Sequence, residues 1–149
     1  MVKLCNYIEI LEDLLIAFRI PVFKKRAKRN IVSKSKFYLF NPGVYKVLKP
    51  TGFLDSESEL NRCALEGLVA QHLRARNDYS NSDNKLYYWR TKRGIEVDFV
   101  LYGKSIFKAF EVKNSTKIRP VDLKSLRTFK SDYPEVETVL IDLLLNMVS

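Results

Sequence analysis

The chain has 149 residues, 46% of them apolar and 12% aromatic, which is enough for one ordinary hydrophobic core and excludes a disordered tail or linker. Its 26 basic and 17 acidic side chains give a formal charge of +9, and the imbalance is local. From Leu14 to Leu54 there is no acid but ten basic residues (Arg19, Lys24, Lys25, Arg26, Lys28, Arg29, Lys34, Lys36, Lys46, Lys49), whereas residues 55 to 149 carry 15 basic against 14 acidic side chains. A segregated positive lobe predicts an anionic partner, nucleic acid ahead of membrane. The plainer alternative is a basic surface that only keeps the chain in solution.

Cys5 and Cys63 lie far apart and make neither a metal spacing nor a disulfide framework, so a reducing, cytoplasmic setting is expected. The first twenty residues mix Lys3, Glu9, Glu12 and Asp13 into their apolar positions and do not read as a signal peptide. The run Val139 to Val148 is too short to span a bilayer and contains Asp142, so no membrane segment is expected.

Asn6 followed by Glu9 has the form of a capping box, and Ile8, Leu11, Leu14 and Leu15 recur at helical spacing, predicting a helix from about Tyr7 to Ala17. Phe18 to Phe23 reads as a short strand with Pro21 marking an edge. Lys24 to Arg29 is then the exposed loop of a hairpin returning through Lys36 to Phe40. Asn41-Pro-Gly43 closes that strand and opens a short helix through Val47. Residues 1–50 thus form a basic helix-and-hairpin extension, and Pro50 to Ser58 is the boundary to a core over residues 55–149.

From about Glu57 to Arg76 the pattern is helical, with Glu66 set in a stripe of Cys63, Val69, Ala70 and Leu73. A carboxylate there needs a partner or costs on the order of several kcal/mol of desolvation. Arg62, one turn back, is the simplest partner. After a loop from Asn77 to Asn84, Leu86 to Asn114 reads as three consecutive strands. Strict alternation sends Ile95, Val97, Phe99 and Leu101 one way and Glu96 and Asp98 the other. In the next strand Phe107, Ala109, Glu111 and Lys113 share a face, and a tight reversal at Gly103 to Ser105 brings Asp98 near Glu111 and Lys113. Pro120 starts a helix to about Lys130, and Glu137 to Leu143 is a buried strand. Helix, three strands, helix, strand is a mixed α/β sheet.

Phosphodiester hydrolysis needs a polarised phosphate, an activated water and a neutralised leaving oxygen, and Mg²⁺ on two or three carboxylates serves all three. Asp98 and Glu111 are the expected ligands, with Mn²⁺ as a substitute for Mg²⁺. Lys113, two residues from the second acid, is the expected catalytic lysine. Glu66 is the expected helper, and Glu96 a reserve ligand. The ordinary alternative makes ion pairs of them: Glu96 with Arg90 or Arg93, and Glu111 with Lys113.

Asp98, twelve intervening residues and Glu111-Val112-Lys113, preceded by the helix bearing Glu66, resemble the PD-(D/E)XK nuclease superfamily. The longer string from Tyr88 to Val100, with Phe110 to Lys113, Tyr7 to Leu15 and Leu65 to Val69, resembles the C-terminal domain of unknown function that follows the motor in many prokaryotic AAA-type ATPases. The resemblance implies a restriction-endonuclease-like mixed sheet flanked by helices. It also implies a nuclease-type site and an ATPase as partner. The motif's proline is replaced by Val97, and no Gly-x-x-x-x-Gly-Lys-Ser/Thr loop is present, so no ATP site is expected in this chain. Nucleic acid is expected on Lys24, Lys25, Arg26, Lys28, Arg29, Lys117, Arg119, Lys124 and Arg127. The alternatives are a catalytically inactive module that binds nucleic acid or protein beside an ATPase, or a truncated remnant of one, which apolar exposure over residues 1–50 would show.

Overall fold

A computed structural model describes residues 2–41, 43, 44, 47, 52, 56–115 and 117–142. In chain order they form α1 (Val2–Asp13), β1 (Ala17–Ile20), β2 (Lys36–Leu39), α2 (Glu57–Tyr79), β3 (Lys85–Arg90), β4 (Glu96–Tyr102), β5 (Phe107–Lys113), a 3₁₀ turn (Pro120–Leu123), α3 (Lys124–Asp132) and β6 (Glu137–Asp142). Strands β3-β4-β5-β6 make one mixed sheet, antiparallel up to β5 and parallel between β5 and β6, while β1 and β2 pair antiparallel in a second, two-stranded sheet. The α/β class is as expected. Gly43, Val44 and Val47 are helical, and the rest of the short helix expected through Val47 lies outside the described residues.

Helix α1 begins earlier than the Asn6 capping box predicts. Val2 to Cys5 contain no Gly or Pro, and nothing stops the helical ladder from running through them. It ends at Asp13 because Leu15 takes a left-handed φ of 57°. The Leu15 N–H then donates to Glu12 O and the Ile16 N–H to Leu11 O, both at 2.9 Å, a reversal that satisfies the last carbonyls. Strand β1 stops at Ile20, short of the predicted Phe23, because Pro21 has no N–H to continue the ladder. The chain then changes partner. The Phe23 N–H donates to Tyr88 O at 2.7 Å and the Tyr88 N–H to Pro21 O at 3.1 Å, covering the outer edge of β3.

Two apolar layers sandwich the main sheet. On the α2 side Phe18, Ile20, Val69, Ala70, Tyr88, Phe99, Leu101, Phe110 and Val112 pack together, and on the α3 side Phe23, Trp89, Val97, Val100, Ala109, Leu126, Phe129, Tyr133 and Val136 do. The alternation predicted for β4 therefore breaks, since Val100, not Leu101, joins Val97. The cause is a bulge. Tyr87 pairs with Val100 and Trp89 with Val97, so Asp98 and Phe99 together oppose Tyr88. Glu96, Asp98, Phe99 and Leu101 consequently all look toward α2.

Phe23 is 1% exposed and touches the rings of Tyr87, Tyr102, Phe107, Phe129 and Tyr133. Phe23→Ala is expected to destabilise the protein by about 3–5 kcal/mol, read as a lowered midpoint in urea. A loss under about 1 kcal/mol would mean that the arm is not part of this core.

Candidate functional site: a carboxylate group crossed by a lysine

Glu66 projects from the middle of α2 and Glu96 and Asp98 from the start of β4, and one carboxylate oxygen of each lies within 4.8 Å of the others. The bulge is what allows this, because it turns Asp98 and Phe99 to the same side of the sheet. Asp98 is 7% exposed. Its Oδ2 accepts the Val112 N–H at 2.8 Å, just beyond the last backbone pair between β4 and β5, Phe99 with Phe110. The carboxylate thus takes the place of a ladder carbonyl where the two strands part.

The group is not bare. Lys36, at the start of β2, donates from Nζ to Glu66 Oε1 at 2.8 Å and ion-pairs with Glu96 Oε1. Tyr38, two residues on and on the same side of β2, donates its hydroxyl to Glu66 Oε1 at 2.5 Å. Arg90 Nη1 approaches Glu96 Oε2 at 3.4 Å. Glu66 therefore takes its partners from β2 rather than from Arg62. Glu96 does pair with Arg90, in agreement with the ordinary alternative.

Glu111 stands beside the three acids rather than among them. Its Oε1 accepts from Lys113 Nζ at 2.9 Å and its Oε2 from the Ser125 hydroxyl of α3 at 3.0 Å. It is close enough to act on Asp98 through space. Burial, then the negative charges of Glu111 and Glu66, push the Asp98 carboxyl up to about 7 despite the Val112 N–H and Lys36. Burial likewise raises Glu111, against the opposing pull of Lys113 and Ser125. Burial alone would lower Lys36, but Glu66 and Glu96 together outweigh it and the net shift is upward.

Of the four expected site residues, Asp98 and Glu66 share one oxygen cluster, and Glu111 with Lys113 forms a bonded pair next to it. Glu96, the reserve ligand, is a full member of the cluster. Lys36, Tyr38 and Ser125 were missed. The alternation of Lys36-Phe-Tyr-Leu39 could have flagged Lys36 and Tyr38 as polar groups on one strand face, but nothing local ties them to an acid 30 residues away. Lys24, Lys25, Arg26, Lys28 and Arg29 are exposed at the tip of the arm, where the Arg29 Nε meets Asp132 Oδ2 at 2.7 Å. Lys117, Arg119, Lys124 and Arg127 are exposed at the other end of the chain's course, around the 3₁₀ turn and α3, with Arg119 held by Asp122 at 3.5 Å. No helix among the described residues is long and apolar enough to cross a membrane.

Because Asp98 titrates higher folded than unfolded, the native state holds a proton that the unfolded chain releases between about pH 4 and pH 7, and stability falls as pH rises through that window. Glu111 acts in the same sense. Asp98→Asn keeps an acceptor for the Val112 N–H and removes the charge. Its urea midpoint should fall less than that of the wild type between pH 4 and pH 7; parallel profiles would contradict this account of Asp98.

Residues 63–145, 83 of the 149, match the model of a family described as "Domain of unknown function (DUF4143)". No curated protein and no solved structure matches the chain.

Proposed function

The chain belongs to the DUF4143 family, whose description carries no activity, and on that premise we propose a divalent-cation-dependent hydrolase of nucleic-acid phosphodiesters, acting at the Glu66, Glu96, Asp98, Glu111 and Lys113 constellation. The observation that carries the reading is the convergence of three carboxylate oxygens from a helix and a bulged strand within 4.8 Å. An all-oxygen, multiply anionic donor set is the kind that hard divalent cations such as Mg²⁺ or Mn²⁺ prefer. The raised Asp98 carboxyl is in keeping with this, because its charge is under-compensated by the protein alone. The residues fit such an ion. Asp98 and Glu96 would hold it, with Glu66 left to act on the water, and it would supply Lewis-acid polarisation of a phosphoryl oxygen.

The chain's own groups do the rest. Glu111, gripped by Ser125, fixes the Lys113 ammonium at 2.9 Å, where it can offset the negative charge that builds on phosphate oxygens as water attacks phosphorus and the bond to the leaving oxygen breaks. The free oxygen of Glu66, its other one being occupied by Lys36 and Tyr38, is the natural acceptor for a hydrogen of the attacking water. The PD-(D/E)XK resemblance of Asp98, Glu111 and Lys113 supports the same assignment.

Lys36 favours a second reading. An ammonium already bridging Glu66 and Glu96 is a built-in counterion, as suits a module that keeps the nuclease-like frame but only binds, in company with an ATPase or another protein. Tyr7, Leu14, Leu15 and Val47 are largely exposed in the arm, the apolar exposure expected of a truncated remnant and equally a surface for such a partner.

Purified protein is expected to nick DNA or RNA only with Mg²⁺ or Mn²⁺, and Lys113→Ala to cut the rate at least about a hundredfold, the usual range for one positioned charge, while the protein remains folded at the assay temperature. Calorimetric titration should show Mn²⁺ binding that Asp98→Ala abolishes and Lys36→Met tightens, because the competing ammonium is gone. Nucleic-acid binding without cation uptake in either wild type or Lys36→Met would replace the hydrolase by the binding module.

A further inference from the structure

The turn joining β3 to β4 and the tip of the basic arm face each other across a cleft of about 480 Å³, lined by Lys28, Arg29, Asn30, Thr91, Lys92 and Arg93 among others, with no acid in its walls. Arg29 is tied to Asp132, but Lys28, Lys92 and Arg93 are exposed and make no ion pair among the described residues. The walls are fixed to one another. The Lys92 N–H donates to Asn30 O at 2.8 Å, the Val32 N–H to Arg90 O at 3.0 Å, and Ile31 bridges Thr91 antiparallel. The turn itself is closed by Thr91, 3% exposed, whose N–H donates to Ile95 O at 2.9 Å, and by Gly94, whose φ of 89° suits only a residue without Cβ. Two loops of cations are therefore held on rigid backbone. The cleft's last wall residue, Ile95, directly precedes Glu96 of the carboxylate group.

Lys28 also lines a second groove, of about 810 Å³, where the half-buried rings of Tyr102 and Phe107 lie over the buried Phe23 and Tyr133. Lys25 Nζ sits 4.6 Å from the centre of the Tyr102 ring at its rim. Asp132 and Glu135 line this groove too, which suits it to bases better than to phosphates. A duplex keeps its base faces stacked inside, whereas a single strand offers them to aromatic rings while its backbone lies on cations.

We propose that the cleft between residues 27–30 and 91–95 binds the phosphodiester backbone of a single-stranded nucleic acid through Lys28, Lys92 and Arg93, and that the aromatic groove beyond Lys28 receives its bases. The ligand class rests on the hydrolase reading, but every residue invoked lies outside the carboxylate group. The test is fluorescence anisotropy of a labelled oligothymidylate and of a duplex of equal length, over a salt series with chelator present so that no cation-dependent cleavage occurs. The wild type should bind the single strand tighter. Lys92→Ala with Arg93→Ala should weaken that binding and flatten the dependence of log K on log salt by about 0.7 per lost contact, with an unchanged melting temperature. An unchanged slope in the double variant, a preference for duplex, or binding of phosphatidylglycerol vesicles without binding of the oligonucleotide would each overturn the proposal. Failure here leaves cation-dependent nicking of DNA or RNA standing, and absence of nicking by the wild type with Mg²⁺ or Mn²⁺ leaves this binding standing, so the two are told apart.

Discussion

A single hydrogen bond, from the Val112 N–H to Asp98 Oδ2, joins the strands at the point where their backbone ladder stops. β4 and β5 pair from Tyr102–Phe107 to Phe99–Phe110 and then part, and the bulge opposite Tyr88 turns Asp98 into the gap. A buried N–H left open there would cost about 1–3 kcal/mol. Satisfying it with a side-chain carboxylate instead of a carbonyl puts a charge into the sheet, and the arrangement around it follows from that charge. Glu111, the next acid, is kept from the same gap by Lys113 and by Ser125 of α3. Glu66 and Glu96 are held near by the ammonium that crosses them.

Lys36 is a counterion built into the acid group. Three carboxylates this close repel one another strongly in a poorly hydrated setting, and an ammonium offsets that repulsion by binding two of them. A divalent ion would offset more of it but must displace or share with Lys36, whose strand, β2, is anchored by Tyr38 stacking on Phe18 and lying against Phe99. The basic arm is therefore both an exposed basic surface and a wall of the acid group. Charge of one sign on a single segment ends in two settings, solvent and an acid cluster, because its residues face in different directions.

The sequence made Asp98, Glu66, Glu111 and Lys113 visible for a physical reason: carboxylates and an ammonium at strand and helix positions that otherwise carry apolar residues must be solvated by something. Their elements were equally legible, because periodicity is local; β3, β4, β5 and α2 lie within a few residues of where alternation and helical spacing put them. The bulge was not legible, since it exists only in the pairing of β4 against Tyr88 and reverses the facing of Val100 and Leu101. Nor was Lys36, which reads as one more cation in a basic run until the arm folds back over α2. The Phe18 to Phe23 stretch failed as a single strand for the same reason, its second half being claimed by β3.

Phe23 closes the α3-side layer from a position more than a hundred residues away from Phe129 and Tyr133, and the Tyr133 hydroxyl donates to Lys25 O across 108 residues of chain. That layer cannot be completed by neighbours along the sequence. The loop so closed spans 108 of the 149 residues, and contacts of such high order slow folding. The arm is therefore a structural part of this layer, and without it the aromatic cluster on this side of the sheet would be open to water and to other chains.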